Sequence, residues 1–154
     1  MGGQPTPNGR AWVVLVTDGT VIAYPPEIYR QRSRAVLESE RWAWVLAGEG
    51  MLKIERPFDD RWSVADRDVR LVEVDWRASI DVPWIGTYWT RDGAPDPEAV
   101  VLEDEVDARA WVRESPRPGL VEPQTFDNAW FSVAAYTVRG EEEYAVAHLA
   151  KVVS

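Results

Sequence analysis

The sequence predicts an α+β protein: a mainly antiparallel set of eight or more strands with two helices packed on it. Three observations lead there. Short β-branched apolar runs are punctuated by Asp-Gly, Pro and Gly, as strands and tight turns require. Two longer stretches carry helix start and stop signals, one in each half of the chain. The two halves, residues 11–82 and 83–154, also resemble each other in order and kind of element. The repeat, if it packs as one compact domain, suits a chain of 154 residues. Residues 1–10, MGGQPTPNGR, read as a flexible leader.

The repeat rests on several short matches in the same order. Glu38, Trp44 and Val45 match Glu105, Trp111 and Val112. Phe58-Asp59-Asp60 and Trp62 match Phe126-Asp127-Asn128 and Trp130. Ser63-Val64-Ala65 matches Ser132-Val133-Ala134, and Val69-Arg70 matches Val138-Arg139. Asp18-Gly19 pairs with Asp92-Gly93, each after an apolar strand. The pattern predicts a tandem duplication. It leaves open whether the sheets of the two halves join edge to edge or stack face to face.

In the first half, residues 11–16 and 21–24 flank Asp18-Gly19 and predict a hairpin, because glycine supplies the positive φ of such a turn. Pro25-Pro26 ends it. Ser33 is placed to cap a helix running to about Ala47, which Gly48 and Gly50 stop. Leu37, Trp44 and Val45 are expected to share its buried stripe. Arg30, Arg32 and Arg34 are expected on its exposed side. Strands follow near 51–55, 62–65 and 69–76, the last with Val72, Val74 and Trp76 on one apolar face.

In the second half, 84–90 and 99–102 are strands around the turn Arg91-Asp-Gly-Ala-Pro95. Asp104 caps a helix through about Glu114, with Glu105 and Asp107 in its first turn, where negative charge suits the helix terminus. Ser115-Pro-Arg-Pro-Gly119 breaks it. Strands near 120–122, 129–138 and 144–152 complete the half, with Arg139-Gly-Glu-Glu142 as a hairpin turn.

Composition narrows the chemistry. The absence of cysteine excludes disulfides, a thiolate metal site and a cysteine nucleophile. The single histidine, His148, lies in a strand-like context with no metal-ligand spacing around it, so a structural or surface role is expected. The chain has no G-x-S-x-G, no GxGxxG and no Walker-type GK[ST]. Asp92, Asp96 and Glu98 lack the calcium-loop ligand ladder and read as a surface turn. The recurrent Phe-Asp-Asp/Asn turns read as Asx-type turns, with Phe58 and Phe126 plugging the core. No catalytic residue, metal or cofactor is expected, and no apolar run approaches a membrane span.

Charge is the strongest functional clue. The chain carries a formal charge of −9, and its basic residues are almost all arginine, a bias that suits a GC-rich bacterial genome. The negative charge concentrates in residues 83–154: thirteen acids against six bases give −7, whereas thirteen against ten in residues 11–82 give −3. Such a balance disfavours nucleic acid, whose phosphates need a basic footprint. It predicts a non-catalytic cytoplasmic protein, immunity-like or inhibitor-like, that docks a basic protein partner. The residues expected to carry that contact are Glu103, Asp104, Glu105, Asp107, Glu141, Glu142 and Glu143. The bland alternative for the same residues is a solubilising surface.

The nine tryptophans raise a second reading. Trp76, Trp84 and Trp89, with Tyr88, crowd the boundary between the halves. Exposed in a groove, they would stack on sugars or small ligands; buried, they plug the joint, which is the expectation their number favours. A third reading is a structural subunit of a homo-oligomer.

Overall fold

A computed structural model describes residues 8–18, 22–77, 80, 82–90, 99–116 and 122–153. It shows an α+β fold of two mostly antiparallel sheets with one helix on each.

The first sheet is built from β1 (Asn8–Thr17), β2 (Glu27–Tyr29), β3 (Glu55–Phe58), β4 (Arg61–Val64) and β5 (Arg67–Arg77). The helix α1 (Arg32–Leu46) packs on β1, β4 and β5. The second sheet contains β6 (Trp84–Trp89), β7 (Ala99–Leu102), β8 (Gln124–Asp127), β9 (Phe131–Val138) and β10 (Glu141–Leu149). It carries α2 (Glu105–Glu114). A last strand, β11 (Lys151–Val153), leaves the second sheet and joins the edge of the first, parallel to β2. The strand order is β11-β2-β1-β5-β4-β3 in one sheet and β7-β6-β10-β9-β8 in the other. Apart from β11, the two orders are the same once each half is numbered from its own first strand.

The sheets stack face to face, which the alternation along β1 and β5 makes plain. Val14 and Val16 of β1, with Val69 and Leu71 of β5, face α1. Ala11, Val13 and Leu15, with Val72, Val74 and Trp76, face the other way and pack with Ile85, Ala99 and Val101 of the second sheet. Beyond that layer, Trp84, Ala134, Tyr136, Ala145 and Ala147 meet Ala108 and Val112 of α2. The order of layers is therefore helix, sheet, sheet, helix.

Several local expectations need correction. The chain does turn back after β1, and Ile22 bridges to Thr17, but the paired strand lies beyond Pro25-Pro26 at Glu27–Tyr29. Two successive prolines lack the N–H groups a ladder needs, so pairing lapses there and resumes afterwards. Residues 19–21 lie outside the described residues, as do the turn at 91–95 and residues 120–121 of an expected strand. Strand β3 starts at Glu55 rather than Met51, and β8 starts at Gln124. Strand β9 starts at Phe131. The β9–β10 hairpin closes on two residues, Arg139-Gly140, both at positive φ as a type I′ turn demands. Glu141 and Glu142 are thereby placed in β10 rather than in the turn.

Helix α1 differs most from expectation. Gln31 occupies its N-cap position with no side-chain hydrogen bond, and Ser33 sits exposed in the first turn. Its buried face is the small-residue row Ala35, Ser39 and Ala43, continued by Ala47, which lets the helix lie close to the sheet. Leu37 and Trp44 project from the opposite side of the cylinder, with Val45 beside them, and all three are exposed. Arg32 and Arg34 are exposed as expected; Arg30 precedes the helix, half-buried with its guanidinium 5.5 Å from the Trp76 ring centre. Helix α2 follows the sequence closely: the Asp104 carboxylate accepts the Asp107 N–H at 2.8 Å, and Glu114 is the last helical residue.

Several matched residues of the two halves do not occupy matching places. Trp62 is 3% exposed under α1, whereas Trp130 is 63% exposed in the β8–β9 turn. Val64 faces the helix on its sheet, while Val133 lies on the side of β9 away from α2, where Ala134 and Tyr136 do the packing. A one-residue slip flips every side chain to the other face. The strand order repeats, but these residue matches are out of register with it.

Candidate functional site

The seven acidic residues singled out from the sequence fall into two separate groups. Glu103, Asp104, Glu105 and Asp107 surround the N-terminal turn of α2. That turn follows Leu102, which lies opposite Trp84 at the start of β6. Glu141, Glu142 and Glu143 open β10, just beyond the pairing of Tyr144 with Trp89 at the far end of β6. Five residues of strand separate the two ends, roughly 17 Å.

Within each group the local partners differ. Glu103 pairs with Arg77 of β5, and Glu105 with Arg109 one turn along α2. Both pairs are exposed on at least one side and contribute little to stability. Asp104 is committed to capping the helix. Asp107, exposed, points to solvent from the same turn. At the other end, Tyr88 donates its hydroxyl hydrogen to Glu143, and Tyr144 donates to Glu142 at 2.5 Å.

The tryptophans of the boundary form no open groove. Trp76, Trp84 and Trp89 are each at most 5% exposed, and only Tyr88 is half-buried. Trp76 fills the layer between the sheets, and Trp84 packs under α2. Trp89 donates its indole N–H to the Thr87 hydroxyl at 2.7 Å and lies 5.5 Å from the Arg70 guanidinium. They plug the joint, so the stacking platform that a sugar-binding reading needs is not built from them.

His148 is buried in β10, its ring stacked on Phe131 at 5.9 Å between centres. Its Nδ1 lies 2.9 Å from the Leu149 carbonyl. A carbonyl only accepts, so Nδ1 carries a proton and donates it there. Burial pushes its pKa below the ordinary histidine value, more than the Leu149 carbonyl raises it.

The recurrent Phe-Asp turns are also only half as expected. Asn128 does form an Asx turn, its Oδ1 accepting the N–H groups of Trp130 and Phe131 at 2.8 Å each. Phe58 and Phe126, however, are exposed and plug no core, because both sit on edge strands.

Two features went unread in the sequence. One is the cluster around Asp127, which accepts the Ser132 hydroxyl and pairs with Arg109 and Arg113 of α2. Burial alone would raise the Asp127 carboxyl. The Ser132 hydrogen bond and the two guanidinium charges outweigh it and hold the group below the usual range. The cluster ties α2 to the β8–β9 turn and is structural. The other is the exposure of Leu37, Trp44 and Val45 among the polar residues on the outer face of α1, the reverse of what their size suggests.

Among the described residues no group of three or more His, Asp or Glu is placed to hold a metal ion, and no helix is long and apolar enough to cross a membrane. The candidate calcium turn at 92–98 lies outside the described residues. Comparison of the chain with protein-family models, curated proteins and solved structures finds no match.

Proposed function

We propose that this chain is a non-catalytic protein-binding module whose second half docks a basic protein partner. The observation that carries the reading is the N-terminal turn of α2. Four carboxylates fall within five residues there, all of them exposed. The helix uses Ala108 and Val112 for packing, so none of the four is needed in the core. The positive helix terminus holds this negative group in place, and the remainder of its field points outward. Such a patch accelerates encounter with a basic surface and sets its orientation. Glu141, Glu142 and Glu143 lie too far along the sheet to belong to the same contact and would serve a large partner as a second one. An immunity-like or inhibitor-like role is one concrete form of this reading.

The test is capture of a partner from the native host's lysate at low and at high salt, with the wild-type chain and with the triple variant Glu103→Lys, Glu105→Lys, Asp107→Lys. Asp104 is left intact, because replacing it would remove the helix cap and confuse docking with folding. A stoichiometric basic protein held at low salt, released at high salt and missed by the folded variant is the expected result. Equal capture by the variant, or an empty eluate in both washes, removes the acidic turn as a docking site.

A further inference from the structure

We draw no further inference here: the strongest candidate, the shallow groove between α1 and β2 lined by Glu27, Glu38, Arg41, Trp42 and Val45, has its polar groups bonded to one another, Trp42 to Glu27 and Arg41 to Glu38, and nothing in the structure shows what covers it.

Discussion

Ile85 is the most informative position for the stacking of the two sheets. It belongs to β6 in the second sheet, it is fully buried, and its neighbours in the inner layer come mainly from the first sheet, including Val13, Leu15, Val74 and Trp76. Ile85→Ala removes three carbons, worth ~0.8 kcal/mol each in transfer from water. The surroundings are strands fixed by ladders on both sides, so the site collapses poorly, and at ~24 cal/mol per Å³ the residual cavity adds roughly 1 kcal/mol or more. The expected cost is about 3–4 kcal/mol, a fall in Tm of roughly 6–16 °C for a chain of this size. Guanidinium titration followed by circular dichroism and by tryptophan fluorescence measures it, and the two probes should give one transition. The decisive control is the cycle with Val13→Ala in β1, which lies across the layer. Residues sharing one cavity couple by more than ~0.5 kcal/mol, whereas independent sites add. Strict additivity, or a cost below ~1 kcal/mol for Ile85→Ala, would refute face-to-face packing of the sheets.

The remaining predictions concern single side chains. His148 has its pKa lowered in the folded state, so the folded chain binds fewer protons than the unfolded one as pH drops through the ordinary histidine range. Stability should therefore fall as pH decreases from about 6.5, and His148→Gln should flatten that part of the stability–pH curve, since this is the chain's one histidine. Asp104→Ala should cost about 1 kcal/mol by removing the α2 cap, while Ser33→Ala should be close to neutral because Ser33 caps nothing. Chemical denaturation of both variants separates the two cases.

What the sequence reveals and conceals divides along physical lines. Strand β5 was legible because alternation is a strict period of two: Val72, Val74 and Trp76 on one face, Val69 and Leu71 on the other, turning polar at Glu73 and Asp75. Helix α2 was legible at both ends because Asp104 supplies a cap with a defined chemistry. Helix α1 misled because hydrophobic size and burial do not coincide there. Its sheet-facing row is Ala35, Ser39 and Ala43, where close approach matters more than side-chain volume, and Ser39 satisfies its own hydroxyl by donating to the Ala35 carbonyl at 2.8 Å. A weight on apolar size picks Leu37, Trp44 and Val45 instead, the residues left outside. The acidic site was half legible: its members could be counted, but only the strand register separates the α2 turn from the start of β10.

The same distinction bears on how the two halves are related. We infer a duplication from the shared strand order, each half running hairpin, helix and three-stranded meander into one sheet. The local sequence matches give that inference little support, since Trp62 is core and Trp130 is surface, and Val64 and Val133 face opposite ways relative to their helices. A shared ancestor preserves topology longer than it preserves which residue fills a given space, because a sheet order cannot change by small steps while a core can be repacked one side chain at a time. Helix α2 carries acidic residues in its first turn, whereas α1 has none there and leaves Leu37, Trp44 and Val45 exposed among polar neighbours.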